Sequence, residues 1–312
     1  MFARLHQLAR HLTRPLPNYA HVSAAAAPMA SKKIHTAACL IIGDEVLGGK
    51  TVDTNSAYFA KFCFNLGIDL KRIEVIPDDE ADIIECVRRM SKNYDFVCTS
   101  GGIGPTHDDI TYSSIAKAFN LPLTLHDGAW VRMQRLSKPH KSQPNFDWVT
   151  ESPALAAKRR MVEIPIDPAR PLEEQAVFVA EDLWIPLAIV NGNVHILPGV
   201  PRLFERLLDE FKPLLLPRLV DPNGASYRVL ISTPLAESAV AEFLTALAKE
   251  VEPRGVKVGS YPRWGKKHNT VTLVGRDREF IESLVSRVEK EVQGRRINKE
   301  GEDESDGSDA DA

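Results

Sequence analysis

A short apolar run, 36–42 (TAACLII), and two further segments that read as strands, 70–76 (LKRIEVI) and 95–100 (DFVCTS), alternate with segments whose apolar residues recur at helical spacing. No other feature limits the fold as much, because a strand, a helix and a second parallel strand connect with one handedness. The first helix is expected over 55–66, capped by Thr54, with Tyr58, Phe62 and Leu66 as its stripe and Gly67 as its stop. Asp78 or Asp79 can cap a second over 80–92, where Ile83, Val87 and Met90 form the apolar face. A third runs from about Ile110 to Phe119. The expected class is therefore α/β, an open and mostly parallel sheet with helices on both faces.

Periodicity weakens between 126 and 170, which reads as an insertion or lid with at most short helices. Strands are expected again at 177–180, 187–190 and 193–201, with a turn at Asn191-Gly192, and a helix over roughly 201–211 ending near Pro213. The stretch 221–226 (DPNGAS) reads as a linker, and the residues beyond it give β-α-β-β-α, a small α/β carboxy-terminal lobe. The organisation expected is an extension over 1–33, an α/β domain over 34–220, the small lobe over 225–297 and a disordered acidic tail over 298–312.

Charge is concentrated at the ends. Residues 1–33 carry five basic residues and no acid, and 300–312 carry seven acids and no base, which leaves 34 basic against 35 acidic residues between them. A nearly neutral body argues against nucleic acid as the main ligand. Arg4, Arg10 and Arg14 stand among apolar residues in an acid-free stretch, the composition of a mitochondrial transit peptide. Met29 offers a second start for a cytosolic form. Cys39, Cys63, Cys86 and Cys98 lie among apolar residues without a Cys-x-x-Cys pair and read as buried thiols. No apolar run approaches the roughly 20 residues of a membrane span.

The stretch 41–51 (IIGDEVLGGKT) imitates a nucleotide-binding P-loop, but the glycine required at 44 is Asp44. A carboxylate inside a phosphate cradle would repel its ligand, so the P-loop is rejected. What remains is an acidic pair, Asp44-Glu45, after the first strand, with Asp78-Asp79 after the second and Asp108-Asp109 after the third. Ligands of open α/β sheets bind beyond the carboxyl ends of the strands, where these loops converge. One such acid usually caps the next helix, but six on three adjacent loops exceed what capping needs. A hard divalent ion, Mg, Mn or Co, would neutralise them. The third loop also carries GGIGPT, whose glycines allow close backbone approach to an anion at a helix start. Lys158 or Arg159 of AAKRR can clamp phosphate, or the run is a solvated helix face. His107 is a general base or a solvated ring. Trp130, Trp148, Trp184 and Trp264 could stack a flat ring or fill a core.

GDEVLGG and DTNS (43–56), IPDD (76–79), TSGGIGPTHDDIT (99–111), LPGVP (197–201) and GSYP (259–262) stand in an order that resembles the MoaB/Mog/CinA molybdopterin-binding family. The likeness spans about 36–297 and is greatest to the CinA amino-terminal domain and the molybdopterin-binding-like domain of eukaryotic FAD synthase. It implies a metal-dependent pyrophosphatase that cleaves FAD or ADP-ribose. The alternative it implies is molybdopterin or nucleotide binding with adenylyl transfer, or binding alone. By the family pattern Asp78 and Asp109 match the essential acids and Gly101, Gly102 and Gly104 the phosphate loop, with Pro105 and Thr106 in the same motif. Asn55, Pro198 and Gly199 complete the substrate side. Asp44, Glu45, Asp108 and Asp109 are then the metal-holding set. A homo-oligomer and a small nucleotide or pterin substrate are implied as well. The segment before LPG departs from the family's Asn- and Gly-rich pattern. No amidohydrolase or nucleotidylyltransferase domain follows the small lobe, so FAD synthesis and nicotinamide-mononucleotide deamidation are expected to be absent from this polypeptide.

Overall fold

The computed structural model describes residues 33–138, 140–222, 224–262, 267–300 and 302. The transit-peptide-like stretch, Met29, Trp264 and most of the acidic tail lie outside the described residues. Strand β1 (Thr36–Ile42) is followed by a single helical turn, α1 (Asp44–Leu47), and by α2 (Asn55–Asn65). Then come β2 (Asp69–Ile76), α3 (Glu80–Asn93), β3 (Phe96–Ser100) and α4 (Thr111–Ala118). The insertion holds β4 (Leu123–Leu125), α5 (Asp127–Leu136), α6 (Pro153–Arg160) and β5 (Glu163–Pro165). After it the main sheet is completed by β6 (Ala176–Val177), β7 (Leu187–Val190) and β8 (Val194–Leu197), with α7 (Pro201–Leu215) behind it.

The strand order is β2-β1-β3-β8-β7-β6. β2, β1, β3 and β8 run parallel; β7 lies antiparallel to β8, and β6 antiparallel to β7. The chain steps from β1 outward to β2 and then back across β1 to β3, so two right-handed crossovers place α2 and α3 on opposite faces. Lying inside the sheet, β1 and β3 are almost wholly buried and carry no charged residue, β3 ending in the buried Thr99 and Ser100. β2 is an outer strand and exposes Lys71 and Arg72, charges that keep an edge from pairing further, beside the apolar Ile73. On one face His195 of β8 is fully buried between Phe96 and Phe211, with ring centroids 4.6 and 5.4 Å away.

Several expectations are corrected. Thr54 makes no side-chain cap; Asp53 accepts the Ser56 N–H instead at 2.9 Å. Pro213 does not end its helix but sits in the last turn of α7, which continues to the fully buried Leu215. The strand expected over 177–180 shrinks to Ala176–Val177. The turn at Asn191-Gly192 forms with φ of 51° and 75°, the left-handed pair that a tight hairpin demands. The insertion is more regular than its periodicity, since β4 pairs antiparallel with β5 and closes a unit around α5 and α6. Trp130, Trp148 and Trp184 pack on Ala129, Met133 and Val162, so all three build the core of this insertion.

The small lobe runs β9 (Tyr227–Thr233), α8 (Glu237–Val251), β10 (Lys257–Tyr261), β11 (Asn269–Gly275), α9 (Arg278–Glu291) and β12 (Arg295–Ile297). All neighbours are antiparallel in the order β10-β11-β9-β12, a split β-α-β plan. β12 is an addition to the expected pattern. The lobe docks on the end of α2, where Ser226 N–H bonds Phe64 O at 3.1 Å and Arg276 bonds Gly67 O at 2.6 Å.

Candidate functional site

Because four strands run parallel, their carboxyl ends share one edge, and Gly43, Asp78, Gly101 and Pro198 follow them there. The ladders extend one step into the loops: Gly43 N–H bonds Ile76 O at 3.1 Å and Gly101 N–H bonds Leu197 O at 3.2 Å. Asn55, buried at the start of α2, donates from Nδ2 to Ser100 Oγ at 2.8 Å and to Gly199 O at 2.9 Å. It thereby ties the end of β3 to the loop after β8. The Asn55 Oδ1 atom is buried without a partner among the described residues.

The glycine loop has the shape its sequence requires. Gly101 and Gly102 have φ of 112° and 65°, a region that side-chain-bearing residues rarely enter. A Cβ on Gly101 would lie 2.1 Å from Ile42 O, and one on Gly102 would lie 2.2 Å from Thr111 Oγ1. Thr111 opens α4 and holds the turn twice: its Oγ1 donates to Gly101 O and its N–H to Gly102 O, both at 2.9 Å. Among the described residues the N–H groups of Gly102 and Ile103 have no partner, which leaves two donors beside the amino end of α4. Thr111→Val removes one brace and leaves a buried carbonyl unpaired. We expect a loss of about 1–2 kcal/mol in urea unfolding, with weakened anion binding at the loop.

Hydrogen bonding gives the acids different duties. Asp79 caps α3, its Oδ1 accepting the N–H groups of Ala81 at 2.8 Å and Asp82 at 3.1 Å. Asp109 fastens the loop to itself: Oδ1 accepts Gly104 N–H at 2.6 Å, and Oδ2 accepts Thr106 N–H at 2.8 Å and Thr106 Oγ1 at 2.5 Å. Its oxygens are thus committed to the loop. Asp78 Oδ2 accepts the Asp44 N–H at 3.0 Å, while Oδ1 lies 3.4 Å from where a Gly102 Cβ would stand, facing the loop. Partial burial, then the charges of Asp44, Glu45 and Asp108, hold the Asp78 carboxyl above its ordinary range. The Thr106 hydroxyl holds Asp108 below it.

Asp44, Glu45 and Asp108 are exposed, and no group of three or more His, Cys, Asp or Glu among the described residues is placed to hold a metal ion. The donor chemistry nevertheless suits a hard cation, since these oxygens carry negative charge that raises the pKa of Asp78. Pro105 and Thr106 are exposed on the loop, Pro198 is buried under it, and Gly199 comes within 3.3 Å of Gly101 Cα at its would-be Cβ. His107 projects fully into solvent. Of the run 156–160, Arg160 bonds the loop, from Nη1 to Thr106 O at 2.7 Å. Arg159 pairs with Glu151 at 2.8 Å and lies over Trp130, and Lys158 is half-buried on the same turn. Sequence reasoning missed Arg160, Thr111 and Ser100. Only Thr111 had a visible signal, a hydroxyl at the helix start behind the glycines.

Residues 38–217 match the family described as a probable molybdopterin binding domain, and 226–301 match the FAD synthase middle domain. A probable FAD synthase of Caenorhabditis elegans is 33% identical, over 83% of this chain and 50% of its own length. The chain thus spans about half the length of that curated relative. A protein of Archaeoglobus fulgidus is 30% identical over 82% of this chain and 97% of its own. Among solved structures, the CinA protein of Thermoplasma acidophilum is 28% identical, with a TM-score of 0.47 over 60% of this chain and 99% of that one.

Proposed function

The chain belongs to the family of probable molybdopterin binding domains, and from that premise we propose that it hydrolyses a nucleotide diphosphate, FAD or ADP-ribose, between the phosphates. The observation that carries this reading is a pair of N–H groups, at Gly102 and Ile103, without a partner among the described residues, on a loop that the raised-pKa carboxyl of Asp78 approaches at Gly102. Two backbone donors and the amino end of α4 take the oxygens of one phosphate, where negative charge grows during displacement. Asp78 Oδ1 takes the proton of the attacking water. The water oxygen bonds phosphorus, the bridging P–O bond breaks, and the second phosphate leaves with its electron pair. Asp109 keeps the loop in shape, and Asn55 keeps Gly199 beside it.

A divalent ion bound with the substrate would supply charge neutralisation and Lewis acidity at the diphosphate. Asp44, Glu45 and Asp108 are the residues that would hold it. An ion of the magnesium type is commonly bound by one or two carboxylates together with substrate phosphates, so no all-protein cage is needed.

The test is release of FMN and AMP from FAD, or AMP and ribose phosphate from ADP-ribose, with Mg, Mn or Co, by the chain and by Asp78→Asn. We expect Asp78→Asn to lower kcat/KM by roughly 10³-fold, as loss of a general base does, while FAD binding stays within a few-fold. Activity of the parent should fall as pH drops through the raised pKa of Asp78, above the ordinary 3.8. Folding responds in the opposite sense. A raised folded-state pKa gives stability that is present below 3.8 and lost as pH rises through the shifted value. At pH 7 Asp78→Asn should therefore melt at a higher temperature than the parent. Equal turnover by parent and variant would refute the assignment of Asp78.

The absence of a three-carboxylate group among the described residues favours a second reading, binding of a molybdopterin or nucleotide with adenylyl transfer or without turnover. Tight binding of nucleotide or molybdopterin with no product under any metal selects it.

A further inference from the structure

Arg218 ends the 3-10 turn Leu216–Arg218 that follows α7, and its Nη2 donates to Gly192 O at 3.3 Å, in the turn that leads into β8. This is the amino edge of the main sheet, opposite the glycine loop. The turn is pinned by Ile34, whose N–H bonds Arg218 O at 2.7 Å, and by Lys33, whose Nζ bonds Pro217 O at 3.2 Å. Arg218 is 7% exposed, and a guanidinium keeps its charge wherever it is placed. Among the described residues its Nε and Nη1 are buried without a hydrogen-bond partner, and no carboxylate pairs with it.

The charged neighbour that acts on Arg218 is another cation, Arg170, whose own acid, Glu174, lies 3.3 Å from it and is cancelled there. His195 offers no counter-charge, since burial and then Arg218 itself keep that ring neutral. A buried charge without a partner is among the costliest arrangements in a protein interior, and orphaned buried donors mark where an ion or an ordered water belongs. We propose that Arg218 seats one compact monovalent anion, a halide or a simple carboxylate, with Arg170 as the second positive wall. One negative charge closes the balance that Arg218, Arg170 and Glu174 leave open. A phosphate would bring more than one charge, and several oxygens, to a place where two nitrogens of Arg218 lack partners. The ligand therefore differs in kind from that of the glycine loop.

Urea unfolding of the full chain across a chloride series, with sodium sulfate holding the ionic strength, tests this. Relative to Arg218→Met, the folding constant of the parent should gain about tenfold for each tenfold rise in chloride once the site fills. Formate in place of chloride separates the two sources: an equal response admits carboxylates, and no response restricts the site to halides. Arg218→Gln, which keeps an N–H for Gly192 O, should be as indifferent to chloride as Arg218→Met and serves if the latter does not fold. Nucleotide binding at the glycine loop should be unchanged in both variants. A crystal of the parent grown in sodium bromide should show an anomalous peak at Arg218, a readout that needs no variant. Parallel chloride curves for parent and variants would overturn the proposal: a bromide peak would then be binding at crystal concentration only, and its absence would leave ordered water as the partner. Diverging curves with no peak at Arg218 would overturn it as well, since the anion would sit elsewhere.

Discussion

Gly101→Ala should cost roughly 3–5 kcal/mol of stability, the range of backbone strain combined with a core clash, and should abolish nucleotide binding. The reason is where the methyl would go. Gly101 is at φ 112° and its Cβ would meet Ile42 O at 2.1 Å, a backbone atom at the end of the interior strand β1 that cannot rotate aside. Relief requires β1 and β3 to part at the edge where the donors of the loop are arranged. Gly49→Ala is the matching control. It too is left-handed, at φ 70°, but no atom lies within 4 Å of its would-be Cβ, so only about 1–2 kcal/mol of backbone strain should appear. Urea unfolding and calorimetric titration with FAD read both effects. Equal stability of the two variants would refute the account of the loop.

Acid should destabilise the chain steeply, and His195 should be responsible for much of it. Complete burial, and then the charge of Arg218, push its pKa down from 6.5 to about 3. The folded chain keeps the ring neutral, with Nδ1 donating to Asn193 O at 3.0 Å, while the unfolded chain protonates it below 6.5. The stability from this neutral ring is full above pH 6.5 and is lost as pH falls towards 3. At about 1.4 kcal/mol per pH unit the loss is on the order of 4 kcal/mol between pH 7 and pH 3. His195→Leu should start less stable at pH 7, because the bonds to Asn193 O and Val97 O go. Its urea midpoint should then fall far less with acid than that of the parent. Parallel pH curves for the two chains would show that His195 is not the linked group.

The central sheet was legible because β1 and β3 are covered on both faces and are written without a charged residue, bounded by glycines that stop them. The insertion was not. Its core joins Trp130, Trp148 and Trp184 across long separations, and such contacts leave no period in a short window. Pro213 misled for a related reason: local propensity ends a helix there, while the burial of Leu215 carries it on. β12 is three residues long and begins Arg295-Arg296, which no strand pattern selects. At the site, the position of the glycine loop could be read but the division of labour could not. Asp79, Asp109 and Asp78 look alike in the sequence. Only the direction of their hydrogen bonds separates a helix cap, a loop fastener and a carboxylate that faces the loop. Arg160 was hidden among three consecutive basic residues, where one turn of α6 decides which reaches Thr106.

The ladder between β3 and β8 joins Val97 to Val194. Everything from α4 to the hairpin of β7 must be looped out before that contact forms, and the chain entropy of so long a closure is spent before any pairing repays it. The proposed phosphate cradle takes Gly101 from one side of this ladder and Gly199 from the other. During synthesis, then, a ribosome-bound chain that has already emitted its glycine motif still has no site. The cradle comes into being only when the eighth strand docks, which makes ligand binding a late event in folding and a report on the completed sheet.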